Sequence, residues 1–410
     1  MVNIINKFIL LVILTIYINA NSYFVSTKGN DRNSGAKNRP FKTLKKAIEI
    51  AKAGDTINIR GGEYPFQNRF NISGAKDKPI TFQAYKQEKV IFVGPYGEDK
   101  IYNTNQNSMI GTFLVTGDYL IFRNFELKNG INGIYVKSNA SHNIFENLVI
   151  HDNYYSSLVL ADGATDNKII NCDAYNNFDS NSYGENSDGF VATAHKKDPT
   201  PYLGKGNIFI NCRSWGNGDD GFDCWNSGNP VTFINCLSYN NGYDHWNIGT
   251  KFKGNGNGFK LGVHNRYGHP RDAHILIDCK AWGNASRGFD YNDNEVALTL
   301  FRNISYNNRN SGFKFLKTNH ILIQNININS GHNYFDNNIY QEGNSWNKPN
   351  YPIQKDIISF DDSSIKAKRD QNGLFKSNGF LELREEDKFY DKNIINKYQD
   401  LIDIKTINLK

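Results

Sequence analysis

The chain has 410 residues, with 47 lysines and arginines against 41 aspartates and glutamates, a net charge of +6. That length is ample for a large buried core and would allow two domains. The basic excess is spread along the chain rather than gathered into arms, which disfavours nucleic acid and suits a polyanionic partner.

Lys7, the apolar run over residues 8–18 and the small step at Asn19-Ala20 have the form of a signal peptide covering residues 1–20. The run is too short to span a bilayer comfortably, and no second one follows. The mature chain is therefore expected to be secreted and to have no membrane partner. Residues 23–25 read as a strand, followed by a polar turn region to Pro40. Within 43–53, Leu44, Ala47, Ile48 and Ala51 recur at helical spacing. Such a short amphipathic helix would cap the open end of a stacked array. Ile57 and Ile59 begin the repeating part.

Two elements repeat. One is apolar-x-Asn, ending at Asn124, Asn147, Asn171, Asn211 and Asn235, with Asp278 in the next copy and an apparent one-residue slip near Asn303. The other is an apolar-x-apolar triplet beginning at Ile134, Leu158, Phe190, Phe222, Phe259, Phe289 and Phe313. Alternation of apolar and variable residues is the period of a half-buried strand. Short strands recurring about every 24 residues cannot each form a core, but stacked as coils they bury one interior. Helical repeats lack this period, and the leucine signature of horseshoe repeats is missing. A parallel β-helix over residues 21–340 is predicted, with a last coil near 321–328 and an irregular packed tail over 341–410.

The asparagines of the first element are expected to form the turn ladder, because their amides can satisfy buried backbone groups. The residues after them (Phe125, Leu148, Cys172, Cys212, Cys236 and Cys279) would form an inward stack. The four stacked cysteines are read as packed reduced thiols, and Cys224 as core. Asn71, Asn139, Asn284 and Asn303 lie in N-x-[ST] sequons, relevant only in a glycosylating host.

The repeat is interrupted selectively. From the Asn element to the next triplet most copies need 10 or 11 residues, but Asn171 to Phe190 takes 19 and Asn235 to Phe259 takes 24. Long loops thus flank the strands of Phe190 and Phe259, where a binding surface is expected. Aligned triplets give a preceding column of Asn132, Ser156, Asp188, Asp220, Asn257, Arg287 and Ser311. The outward row is Tyr135, Val159, Val191, Asp223, Lys260, Asp290 and Lys314. With coils about 4.8 Å apart, Asp188 neighbours Asp220, and Asp223 neighbours Lys260. Asp219 joins them from the same turn. Four such carboxylates repel by several kcal/mol unless neutralised, and Ca²⁺ tolerates an irregular oxygen set of this kind.

That arrangement suits β-elimination on a uronate polymer. A divalent cation bridging protein and substrate carboxylates would stabilise the charge left when the α proton departs. Lys260, beside the cation site, is the candidate base. The cation would depress its pKa while the aspartates push it up, and an alkaline optimum follows.

Asn186-Ser187-Asp188-Gly189-Phe190, Gly218-Asp219-Asp220-Gly221-Phe222-Asp223 and Gly256-Asn257-Gly258-Phe259-Lys260-Leu261-Gly262 resemble polysaccharide lyase family 9. The opening, from Tyr23-Phe24-Val25-Ser26-Thr27-Lys28-Gly29 through Pro40-Phe41-Lys42-Thr43 to Gly54-Asp55-Thr56-Ile57, resembles the same proteins less specifically. The resemblance covers residues 22–330 and implies a right-handed β-helix of about ten coils that cleaves pectate. It carries calcium ligation to Asp188, Asp219, Asp220 and Asp223, and the base to Lys260. The implied partner is an acidic plant cell-wall polysaccharide, acted on by an exported chain that needs no second copy.

Candidates for gripping substrate carboxylates are Arg287 and Lys314 on the following coils, and His264, Arg266 and Tyr267 in the loop after Lys260. Trp215, Trp225 and Trp282 are read as packing, and Trp246, in the longest insertion, as the tryptophan best placed for sugar contact. Some members of the resembling family act on rhamnogalacturonan, which stays open as a substrate. Hydrolysis by Asp219-Asp220 would leave Lys260 idle and lacks a completing His and Arg-x-Lys. A non-catalytic carbohydrate-binding β-helix would not need Lys260 beside the acids.

Overall fold

The computed structural model describes residues 20–65, 69–96, 113–194, 202–262, 273–350, 353–370, 372–401 and 403–404. Among them, three parallel sheets run side by side along a solenoid. Sheet 1 has 12 strands, from Ser22–Val25 to Tyr340–Glu342. Sheets 2 and 3 have 10 each, from Gly62–Pro65 to Ile326–Ile328 and from Arg69–Phe70 to Tyr334–Phe335. The chain visits them in rotation, as in Ile144–Glu146, Val149–His151 and Leu158–Leu160, before returning at Lys168–Ile170.

The two sequence elements are the inward columns of sheets 1 and 3. Phe122, Phe145, Ile169, Phe209, Phe233 and Leu276 pair rung by rung, as do Ile134, Leu158, Phe190, Phe222, Phe259, Phe289 and Phe313. All belong to one buried core. The phenylalanines of sheet 3 stack face to face from Phe190 to Phe313, with centroids 4.7–5.1 Å apart. All five cysteines are buried free thiols, and Cys172, Cys212, Cys236 and Cys279 each donate weakly to nearby carbonyls. At the N-terminal end, helix α1 (Leu44–Ile50) is capped by the Thr43 hydroxyl, which accepts from Lys46 N, and buries Leu44, Ala47 and Ile48 over the core. None of the described helices is long and apolar enough to cross a membrane.

The ladder of asparagines differs from the expectation. Asn124, Asn147, Asn171, Asn211 and Asn235 hold the left-handed turn between sheets 1 and 2, with φ from 52° to 63°, a conformation Asn tolerates. Their side chains join in only two steps, Asn147 to Asn124 and Asn211 to Asn171. The deeply buried ladder lies after sheet 2, at Asn153, Asn177, Asn217, Asn241, Asn284 and Asn308. There both the backbone N–H and the amide of each residue donate to the Oδ1 of the next. At Asn303 the asparagine is displaced by one residue, as the spacing indicated. Arg302 takes the left-handed turn, and Asn303 continues the cysteine column, accepting from Cys279 N at 2.8 Å and starting a ladder through Asn325 to Asn344. The sequons at Asn284 and Asn303 are thus buried in the fold.

A further ladder precedes sheet 1. Backbone N–H groups donate to Asn143, Asn167 and Asn207, and then to the Nδ1 atoms of His274 (from Val231, 3.0 Å) and His320 (from Leu298, 3.1 Å). An accepting Nδ1 requires neutral imidazole, and burial pushes His274 down to about 3 and His320 to about 4.

The solenoid runs one coil past the expected last one, through Tyr334–Phe335 and Tyr340–Glu342. Beyond it, Ile353, Ile357, Ile365, Phe380, Leu381, Leu383, Phe389 and Tyr390 pack on the outer face of sheet 2 against Leu237, Tyr239, Trp282, Ile304, Ile326 and Ile328. Ile394, Ile395, Tyr398, Leu401 and Ile404 cover Ile277, Phe301 and Ile323 of sheet 1. Arg369 and Arg213 share Asp173, and Arg213 Nη1 also donates to the carbonyls of Ile365 and Ala367. This segment lies on sheets 1 and 2.

Asn241→Ala should cost about 3 kcal/mol, because it orphans two buried donors of Asn217, and urea unfolding measures it. The two histidines are protonated in the unfolded chain below about pH 6.5 but resist protonation when folded, so stability falls as pH drops below that value. His274→Asn/His320→Asn should flatten the acid limb of Tm between pH 6.5 and 4, a change followed by thermal melts across that range.

Candidate functional site

The outer face of sheet 3 carries the predicted row in register. Tyr135, Val159, Val191, Asp223, Lys260, Asp290 and Lys314 occupy successive rungs. Before each central triplet stands a glycine whose absent Cβ lets the coils close up. A Cβ on Gly189, Gly221 or Gly258 would lie 2.6–2.8 Å from the carbonyl of the next coil's glycine. Gly189 N donates to Asp220 O, Gly221 N to Asn257 O and Gly258 N to Arg287 O, which fixes the preceding column. The buried ladder supports the same turn, since Asn177 Nδ2 donates to Asp188 O at 2.9 Å.

Asp188, Asp219, Asp220 and Asp223 are all buried. Asp188 Oδ1 accepts from Asp220 N at 3.0 Å, and Asp220 Oδ1 accepts from both the backbone and the amide of Asn257, at 2.6 and 2.9 Å. Asp223 Oδ1 accepts from Trp225 N at 2.7 Å. The Lys260 ammonium lies between two acids, 3.0 Å from Asp220 Oδ2 and 3.3 Å from Asp223 Oδ2. Asp188, Asp220 and Asp223 each offer an oxygen within 4.8 Å of the others. Asp219 stands apart from that group, with its Oδ1 taken by Asn255 N at 2.8 Å.

The electrostatics follow from burial. Loss of water and the fields of neighbouring carboxylates hold Asp188 and Asp219 well above the usual carboxylate range. Burial likewise pushes Asp223 up to about 6, against the pull of Lys260. For Lys260, burial favours the free amine, but Asp220, Asp223, Asp219 and Asp188 outweigh it and raise its pKa.

These residues fit a metal ion. The three converging carboxylates are hard oxygen donors. Among the described residues, Asp220 Oδ2 meets the Lys260 ammonium alone, and the buried Asn257 Oδ1 accepts no hydrogen bond. Asn257 is thus an additional oxygen donor beside the acids. Sequence reasoning had it in the column with Asp188 and Asp220 but gave it no part. Its position between two Gly residues at the same phase was the available signal.

A cleft of about 820 Å³ opens beside this cluster. Lys260, Asp223 and Asp188 lie along it with Trp225, Val191 and Val159, and it reaches Lys137 on an earlier coil. Arg287 and Lys314 do not line it. Arg287 pairs with Asp290 at 3.0 Å, and Lys314 lies 5.5 Å over the Tyr291 ring. His264, Arg266 and Tyr267 lie outside the described residues. Trp215 and Trp282 belong to an aromatic stack on sheet 2, and Phe380 of the C-terminal segment packs on Trp282. Trp246 stacks on Phe178 at 4.3 Å, joining the two long loops.

A family model described as "Pel9A-like, right handed beta helix region" matches residues 23–342. Pectate lyase L of Dickeya dadantii (strain 3937) is 32% identical, covering 88% of this chain and 83% of that protein. Pectate lyase PEL9 of Emericella nidulans is 30% identical, covering 88% and 92%. Among solved structures, pectate lyase Pel9A superposes with a TM-score of 0.78 at 31% identity, covering 90% of each chain. A rhamnogalacturonan lyase superposes with the same TM-score at 28% identity, covering 90% of this chain and 99% of that one.

An acid whose pKa is raised on folding contributes stability below its unfolded value and loses it as pH climbs through the folded one. For Asp223 that window runs from 3.8 to about 6. Without metal, Asp188→Asn should therefore raise Tm by a few degrees above pH 6, because it removes one buried like charge. It should also shrink the Tm rise produced by a divalent cation, and melts with chelator and with cation test both.

Proposed function

The chain belongs to polysaccharide lyase family 9, the Pel9A-like right-handed β-helix enzymes, and from that premise we propose a secreted pectate lyase that cleaves polygalacturonate by calcium-assisted β-elimination. The observation that carries the mechanism is Lys260. Its ammonium stands 3.0 and 3.3 Å from two buried carboxylates, on the outward row beside an open cleft. A lysine merely solvated on a sheet face would not be held this way.

Calcium held by Asp188, Asp220 and Asp223, with Asp219 and the Asn257 Oδ1 beside them, would act as a Lewis acid toward the substrate carboxylate. The chain does the rest. With the carboxylates neutralised, burial favours the free amine of Lys260. Lys260 Nζ takes the proton from C5, α to the uronate carboxyl group. The electron pair of that bond becomes the C4=C5 double bond, and the C4–O bond to the next sugar breaks. The departing oxygen is protonated from solvent, leaving an unsaturated uronate end. Because the ammonium must first be lost, the rate should rise on the alkaline side. Export rests on the signal-like residues 1–20, of which residues 1–19 lie outside the described residues. Elimination on rhamnogalacturonan is a second reading, supported by the equal superposition on a rhamnogalacturonan lyase.

Incubation with polygalacturonate at alkaline pH should give rising ultraviolet absorbance with calcium and none with chelator. New reducing ends without absorbance would point to hydrolysis instead. Activity on rhamnogalacturonan alone would select the second reading. Lys260→Ala should lower kcat about 10³-fold or more while leaving the calcium-induced rise in Tm in place.

A further inference from the structure

We propose that the two long loops beside the cleft, residues 178–186 and 243–256, form an auxiliary platform that binds the acidic polysaccharide outside the cation site. The proposal rests on the polyuronate reading of the substrate. The loops act as one body. Trp246 stacks on Phe178 with ring planes 16° apart, and Lys253 N donates to Tyr183 O at 3.0 Å. Within the first loop, the Asp179 carboxylate accepts from Gly184 N at 2.8 Å. Within the second, the Asp244 carboxylate accepts from the N–H groups of Trp246, Ile248 and Gly249, so its charge is spent on the loop itself.

This body is tied to the metal cluster. Asn255 N donates to Asp219, and Glu185, Asn186 and Asn255 line the cleft. Just outside those residues come Tyr183 and Lys253, both exposed, with the ammonium 5.4 Å over the ring. Tyr183 is a bulky residue held at φ 61°, a backbone state that costs free energy and persists only where its surroundings impose it. Tyr243 is 37% exposed and continues through His245 to Trp246, with centroids 6.4 and 5.8 Å apart. Lys251 is exposed on the same loop.

Exposed aromatic rings together with two exposed lysines on the same loops match a sugar polymer that carries carboxylates. The aromatic rings offer apolar surface to C–H faces, and the lysines meet the acid groups. Nothing in the elimination needs these residues, which stand beside the cleft rather than at the carboxylates. A polymer leaving the cleft across this wall would gain a second attachment, strengthening its binding without new contacts at the reacting sugar.

The test uses Lys251→Glu/Lys253→Glu and, separately, Tyr243→Ala, all at exposed positions. KM is measured on long polygalacturonate and on a short oligogalacturonate. Migration is measured in gels with and without polygalacturonate, in the active chain and in a Lys260→Ala background. The ratio of polymer KM to oligomer KM should rise about fivefold in the double variant, and its retardation should fall in both backgrounds. Unchanged ratio and retardation would overturn the platform. So would a Lys260→Ala chain that polygalacturonate does not retard. An unmutated chain that is retarded but forms no unsaturated product would instead overturn the lyase reading, and the platform would stand.

Discussion

Everything at the site depends on the rung-to-rung register of the parallel coils. Backbone hydrogen bonds such as Gly189 N to Asp220 O and Gly221 N to Asn257 O set each turn directly against the next. That spacing makes neighbours of residues 32 and 37 positions apart, Asp188 with Asp220 and Asp223 with Lys260. Three glycines are the condition for it, because a side chain there would strike the next carbonyl. The buried asparagine ladder satisfies the turns from inside, so that the insertions after Asn171 and Asn235 do not disturb the stack.

A scaffold of this stiffness can hold an arrangement that would otherwise relax. Four buried carboxylates beside one ammonium leave a surplus of negative charge with little water to screen it. In a deformable loop the side chains would turn outward. Here Asp220 is pinned by Asn257, Asp223 by Trp225 N and Asp219 by Asn255 N. The repulsion that costs stability is one that a bound cation would relieve.

The rest of the surface is divided by packing. The C-terminal segment covers the outer faces of sheets 1 and 2 with apolar residues and locks on through Arg369, Arg213 and Asp173. The outward row of sheet 3 is occupied instead by the acids, Lys260 and the cleft. The two long loops stand beside that open face as a wall, joined to each other by Phe178 and Trp246 and to the cluster by Asn255. The candidate site and the C-terminal cover thus use different faces of one three-sided coil.

The sequence by itself determined the coil period, the inward phenylalanine and cysteine columns, and the juxtaposition of Asp188, Asp220, Asp223 and Lys260. These follow from a local rule, alternation along short strands repeated at fixed phase, so counting residues is enough to recover the register. Only the tertiary structure decided which asparagines are buried, because Asn124 and Asn153 both sit in turns and the repeat does not say which amide points inward. It also decided that Asn303 faces inward, that Asp219 turns to Asn255 while Asn257 keeps an oxygen beside the acids, and that Trp246 lies on Phe178. The contacts of Asp219 and Trp246 join segments without a common period, and spacing carries no information about them.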